Sequence, residues 1–401
     1  MGNSTAARIT VVGGGIAGLV AAISCAENGA SVTLHEAHST LGGRGRATAS
    51  PYVAHEGAHV FYADGPHWTW LDQRGLVSDL GRPPAAKAIR IGFVHEDRLR
   101  RVPPPGFMKM MFLNRGRSAP VDVDFFTWAA ERFGEKTARV AANAIGVVTY
   151  DADTGRLSAA FVWELLRRVF APKPPAVRWV IGGWQSVMDN LARRAKELDV
   201  RIELGSRITE VPGEPTIVAT ELSSASALLG DSSLRWQSGH CVMLDLAVRE
   251  DRRDFFLAWD LDGGGFHESY SMQDPTVAPA GESLFQLDLP VREGESHAAA
   301  RQRLEALTEF VVPGWRERVT WQRSAVAKGR TGALDLPGQT WRDRPAIARG
   351  GDVFLAGDMV AAPGMRGEIS INSALLAAEG ALAAARPRRA GPQDSTASWT
   401  T

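Results

Sequence analysis

The spacing of apolar and polar positions changes along this chain, and each change marks an element. Residues 8–12 (RITVV) are a β-branched run bounded by a glycine cluster and predict a buried strand. After Gly13-Gly14-Gly15 an Ala/Leu/Val/Ile stretch runs to Asn28-Gly29, which predicts a helix with a glycine stop, and 31–35 (SVTLH) predicts the next strand. Segment 179–211 reads as a glycine turn, an amphipathic helix and two short strands, and 216–220 (TIVAT) as a further strand. Near the other end, 352–358 (DVFLAGD) predicts a buried strand, followed by the loop MVAAPGMRGE and a small-residue helix from about 369 to 385. Proline-rich turns (83–87, 102–107, 171–175) and helical patterns (124–134, 158–170) interrupt this alternation, and 241–248, 255–261 and 283–290 look like strands, with a helix near 295–310 after them. The pattern predicts an α/β fold built on a Rossmann-like domain, with a discontinuous α+β region for substrate.

The first strand, turn and helix carry chemistry. Gly13, Gly15 and Gly18 form a G-x-G-x-x-G turn together with Ile16 and Ala17, and Glu36-Ala37 stand at the carboxyl end of the second strand, Glu36 being 18 positions after Gly18. That spacing is the requirement of a dinucleotide site. Glycine permits the turn and lets backbone approach a pyrophosphate, the helix N-terminus offers free N–H groups, and the acidic side chain accepts bonds from ribose hydroxyls. Leu41-Gly42-Gly43-Arg44 follows, in which two glycines let the chain pass beside a pyrophosphate and Arg44 offsets its charge.

The run from Val11 to Arg44 resembles the opening of the phytoene desaturase and flavin amine oxidase superfamily of FAD-dependent oxidoreductases. The Gly357-Asp358 ending resembles the second FAD signature of that superfamily. The resemblance implies that Asp358 bonds a ribityl hydroxyl, that Met365 and Arg366 approach the ring, that backbone near Ile208 meets the adenine, and that Gly57, Ala58 and His59 form a loop against the flavin. It also implies an FAD-binding domain from 1–75, 179–235 and 336–386 and a substrate domain from 76–178 and 236–335, while the polar, proline-containing residues 387–401 predict a disordered tail. His59, Arg366 and Glu368 are the candidates for chemistry at the ring, as proton acceptor, substrate anchor or flavin tuner. The motifs are more similar to the phytoene desaturase side, so the expected reaction is desaturation or dehydrogenation of a small, apolar or natural-product molecule; C–N oxidation of an amine and a non-catalytic flavin-binding module are the alternatives. Only one dinucleotide-type turn is present, so oxygen, a quinone or another diffusing acceptor is expected to take the electrons.

His55-Glu56-Gly57-Ala58-His59 matches the H-E-x-x-H pattern of zinc proteases, which requires a helix. Pro51 before it and Gly57 within it predict a loop instead, and no metal site is expected. Residues 106–113 (GFMKMMFL), beside Arg115 and Arg117, fit either a packed helix or a peripheral membrane contact. Tyr62, Trp68, Trp70, Trp179 and Trp184 are candidates for pocket lining or for core.

Composition narrows the partners. Lys plus Arg equals Asp plus Glu at 45 each, and no basic tract stands out, which argues against nucleic acid. No apolar run reaches the roughly 18 to 20 residues of a membrane span. Two cysteines, Cys25 and Cys241, both within predicted elements, suit buried thiols, and a cytoplasmic protein is expected.

Overall fold

A computed structural model describes residues 7–58, 60–77, 79–114, 116–170 and 176–386. Among these residues the strands form three sheets. The first has six strands in the order Ala348–Gly350, Val353–Leu355, Thr216–Val218, Arg8–Val12, Ser31–Glu36, Arg201–Leu204. Its inner pairings are parallel, and only the edge strand Ala348–Gly350 runs antiparallel. Near-continuous apolar runs suit such strands, because both sheet faces are covered. Helices Ile16–Glu27, Gly183–Glu197 and Gly367–Ala384 cover one face, in a core that includes Val11, Leu34, Ile217, Ala22, Leu191 and Ala377. Alanines at the contact between the first and last of these helices let their backbones come close. A second cluster, with Val218, Leu222, Leu355 and Met359, covers part of the other face.

The second sheet has seven strands: Val319–Ala333, Ser238–Arg249, Glu282–Pro290, Phe266–Ser269, Leu257–Asp260, Ile91–Val94 and Leu99–Arg100. Alternation along its central strands separates two faces. Val242, Leu244, Leu246, Phe285, Leu287 and Leu289 pack on helix His297–Val311, while the intervening residues point the other way. Helices Pro105–Leu113, Phe125–Phe133, Glu135–Ala144 and Ala159–Phe170 form a separate cap. Strand Val177–Val180 pairs with Phe61–Tyr62 and Leu80–Gly81 in a third, three-stranded sheet, whose Phe61 and Val180 belong to the first core.

Two expectations change. Residues 207–211 form no strand: the chain leaves the sheet edge after Leu204, with the Gly205 and Ser206 amides bonded to the His38 and Glu36 carbonyls. The 15-residue strand Val319–Ala333 was hidden by its mixed, half-exposed composition. Helix Pro105–Leu113 is packed through Phe107, Met110 and Met111, while Phe112 and Leu113 face outward. Both cysteines are buried free thiols. The tail expected at 387–401 lies outside the described residues.

Candidate functional site

The turn between the first strand and helix is held from within. A β-carbon at Gly18 would stand 1.8 Å from the Gly13 carbonyl oxygen, and one at Gly13, whose φ is +107°, would stand 2.6 Å from the Ala219 carbonyl oxygen. Gly15 differs, since a β-carbon there would meet nothing within 4 Å. The first two glycines therefore serve packing, and the third keeps an approach to the helix N-terminus clear. Ile16 and Ala17 follow in the first turn of that helix, Ala17 buried and Ile16 partly so.

Glu36 reaches back to this turn from the end of its strand. Its Oε2 accepts from the Gly14 amide at 2.7 Å, and its Oε1 accepts from the His38 amide at 2.8 Å and lies 2.6 Å from His38 Nδ1. Burial pushes this carboxyl up, but the bonds from His38 and Gly14 outweigh it and hold its pKa below the usual range. A carboxylate has about four acceptor positions, so one remains for a further donor. Ala37 follows Glu36, and the Gly205 and Ser206 amides bond to carbonyls at this corner, with the partly buried Ile208 two residues further along the chain.

Leu41-Gly42-Gly43-Arg44 lies directly on the turn, with the Gly42 amide bonded to the Gly14 carbonyl at 2.8 Å. Arg44 then crosses to the other end of the chain. Its NH1 and NH2 donate to Asp358 Oδ2 and Oδ1 at 2.6 and 3.0 Å, and NH1 also donates to the Arg330 carbonyl. The Asp358 charge raises the Arg44 pKa against the opposing effect of burial. Gly357 precedes Asp358 at the strand exit, and its amide bonds to the Ser373 hydroxyl at 2.9 Å. Residues 314 positions apart thus meet in one bidentate pair.

The loop at 55–58 lies against the polar face of the seven-stranded sheet. The His55 carbonyl accepts from Gln286 Nε2 at 2.9 Å and Arg323 NH2 at 3.0 Å, and the Gly57 carbonyl accepts from the Tyr270 hydroxyl at 2.5 Å. Gly57 has φ +106°, and the segment is a bend rather than a helix, so His55 and Glu56 lack the geometry of a zinc-protease helix. The Ala58 carbonyl accepts from Trp184 Nε1 at 3.1 Å. His59 lies outside the described residues.

Register explains why these polar groups assemble. Glu268, Gln286, Asp245 and Arg323 are directly paired across four neighbouring strands, so their side chains share one face. Burial pushes Asp245 up to about 6, with Arg323 opposing. The signal was present in the sequence as single polar residues within apolar runs, SLFQLDLP and CVMLDLAV, but only strand pairing brings them together.

Arg366 and Glu368 stand at the start of the last helix. The Arg366 guanidinium lies 4.0 Å from the Tyr150 ring centre, and it donates to the Val147 and Val148 carbonyls at 2.6 and 2.9 Å. Glu368 Oε2 accepts from Arg168 NH1 at 2.6 Å and from the Met365 amide at 3.0 Å. Arg168 also donates to Asp64, and it sits over the Tyr62 ring. Both residues are tied to the cap, Arg366 through the end of helix Gly146–Thr149 and Glu368 through helix Ala159–Phe170. Met365 packs against the cap core. Of the aromatic candidates, Trp68 and Trp70 belong to the core of the first half, while Trp184 touches Phe61 and Trp179 donates to Glu268.

Comparisons agree with this architecture. Residues 11–74 match the family model of the NAD(P)-binding Rossmann-like domain. The whole chain is similar to an oxidoreductase from Methanosarcina mazei at 14% identity, covering 93% of this chain and 100% of that one with a TM-score of 0.73. It is also similar to cyclohexylamine oxidase from Brevibacterium oxydans (14% identity, 94% and 99% covered, TM-score 0.70). A putative protoporphyrinogen oxidase from Exiguobacterium gives 14% identity, 95% and 99% covered, and a TM-score of 0.67. Comparison with curated proteins finds no match. The chain therefore has a mixed α/β fold in which a Rossmann-like domain is combined with a second domain.

Proposed function

We propose that this chain is an FAD-dependent oxidoreductase that removes hydride from a C–H bond of a small molecule held between the Rossmann-like half and the seven-stranded sheet. The observation that carries this reading is the meeting of Gly14-Gly15, Glu36, Arg44 and Asp358 at one place, with the approach to Gly15 clear. These residues fit a dinucleotide: Glu36 keeps an acceptor position for a ribose hydroxyl, the Gly15 helix end suits a pyrophosphate, and Asp358 suits a polyol chain. When bound, FAD supplies a two-electron acceptor for the substrate C–H bond. The chain orients and shields. Gln286, Arg323 and Tyr270 fix the carbonyls of the 55–58 loop, and the pairs Arg366–Val147 and Glu368–Arg168 hold the cap over the last helix. His59, Arg366 and Glu368 remain the candidates nearest the ring.

Dehydrogenation of a natural-product substrate is the primary reading. Oxidation of an amine is the second, favoured by the similarity to cyclohexylamine oxidase. A diffusing acceptor such as oxygen or a quinone takes the electrons in either case. Peripheral contact with an anionic bilayer belongs to the same reading, through Phe112 and Leu113 beside Lys109. No helix among the described residues is long and apolar enough to cross a membrane.

The test is the absorption spectrum of purified protein incubated with free FAD and passed over a desalting column. Flavin bands are expected to remain with the protein and to be lost or weakened in Glu36→Ala and Asp358→Ala; a wild-type protein that stays colourless would overturn the reading.

A further inference from the structure

The polar face of the seven-stranded sheet carries another row beside the one that holds the 55–58 loop. Trp259 pairs with Phe266, Phe266 with Asp288, and Asp288 with Met243, across four strands. Directly paired residues project to one side, so these four side chains lie on one face. Two polar atoms in the row have no hydrogen-bond partner among the described residues, Asp288 Oδ1 and Trp259 Nε1. Asp288 is 1% exposed, and its other oxygen has one long contact, from the Tyr150 hydroxyl at 3.5 Å. Buried polar atoms without partners are rare and unfavourable, and one acceptor and one donor left so on the same face point to a missing molecule. The row also adjoins the loop at the candidate ring position: a β-carbon at Gly57 would stand 3.6 Å from the Tyr150 hydroxyl. Around Trp259 the rings of Phe93, Phe170 and Phe266 have centroids 5.2 to 5.5 Å away.

We propose that Asp288 and Trp259 are the two polar anchors of the substrate site. The substrate carries a hydrogen-bond donor, hydroxyl or amine, that meets Asp288 Oδ1, an acceptor oxygen that meets Trp259 Nε1, and an unsaturated or aromatic body that lies along Phe266. The two anchors stand on strands two positions apart, roughly 9.5 Å at the backbone, a span that suits a molecule with a polar group at each end of one ring. This assignment rests on the reading of 55–58 as the flavin-facing loop. It excludes a plain hydrocarbon, which leaves both atoms unsatisfied.

The charged and titratable groups around Asp288 are Arg366, Glu268, Tyr150, Cys241 and Tyr270. Burial pushes the Asp288 carboxyl up to about 8, Arg366 opposes this and Glu268 adds to it. A hydroxyl group can bond this carboxyl in either protonation state. An ammonium group favours the carboxylate, so an amine that binds as the ammonium near pH 7 displaces the carboxyl proton.

Isothermal titration of the flavin-loaded protein tests the assignment with 4-(hydroxymethyl)benzamide, 4-(aminomethyl)benzamide and 4-ethyltoluene as probes. At least one benzamide is expected to bind about tenfold or more tightly than the hydrocarbon, the scale of one lost buried polar contact. Asp288→Leu removes the carboxyl without leaving an unpaired charge, and Trp259→Phe keeps a ring without its N–H; each is expected to reduce benzamide affinity by about fivefold to tenfold. Should Asp288→Leu fail to fold, Asp288→Asn and Trp259→Phe carry the test. Titration in buffers of different ionisation heat separates the two donor types, with proton release expected for the amine alone. Equal affinity for the hydrocarbon, no binding of either benzamide, or unchanged affinity in the variants would overturn the proposal. The flavin absorbance of the same samples keeps the two readings apart: yellow protein indifferent to the probes removes the anchors, and colourless protein removes the flavin reading.

Discussion

Gly15 separates folding from binding at the scale of one residue. Its backbone, φ −78° and ψ −174°, is open to any amino acid, and a β-carbon there meets nothing within 4 Å. Gly15→Ala is therefore expected to leave unfolding free energy unchanged or raised by up to about 1 kcal/mol, while FAD retention after desalting falls sharply. Loss of stability with FAD retention intact would contradict this. Asp288 makes a second prediction, in pH. Its folded pKa of about 8 lies above its ordinary 3.8, so its contribution to stability is full below about pH 4 and is lost as pH rises through 8. His267 acts oppositely, because burial lowers it from 6.5 to about 4, and its contribution is full above 6.5 and lost as pH falls. Urea unfolding between pH 7 and 9 is expected to show a decline in the wild type, at most about 1.4 kcal/mol per pH unit at first, that Asp288→Asn abolishes. An unchanged slope in the variant would remove Asp288 as its source. Gly13, Gly18 and Glu36 were legible in the sequence because their spacing is local. Asp288, Tyr150 and Gln286 were not, since nothing near them in the chain announces a partner that strand register supplies.

Among the elements, the first and last helices depend on small side chains. Ala22 and Ala377 are fully buried in the core of the first half, and an interior packed to crystal-like density has no room for three more carbons. Ala377→Leu is expected to destabilise by about 1–3 kcal/mol, read as a lowered urea midpoint with unchanged slope. A neutral effect would mean that the helices separate without cost. Element type was readable where periodicity was strong, as in Arg8–Val12, Ile16–Glu27 and Gly367–Ala384. It failed for Val319–Ala333, which lies at one edge of its sheet and is mostly half-exposed, so the alternation of buried and polar positions is blurred. It failed also at 207–211, where an apolar–polar pattern lies beyond the last strand and has no neighbour to pair with.

For the molecule as a whole, the proposed bilayer contact rests on outward-facing apolar side chains. Phe112 and Leu113 are 45% and 70% exposed at the end of a helix whose Phe107, Met110 and Met111 are packed. Co-sedimentation with vesicles containing phosphatidylserine is expected to retain the wild type at low salt and to release Phe112→Ser/Leu113→Ser, with thermal stability unchanged because neither side chain is in the core. Equal sedimentation of both would show that this patch does not contact lipid. The six-stranded sheet has a different consequence, for synthesis on the ribosome. Thr216–Val218 is made well before Val353–Leu355, the strand that pairs with it, and Arg44 well before its partner Asp358. At roughly 5–20 residues per second, translation leaves Thr216–Val218 waiting on the order of 7–30 s for that neighbour. The nascent amino-terminal half spends this interval with an incomplete sheet edge, which is the period when a chaperone has most to protect.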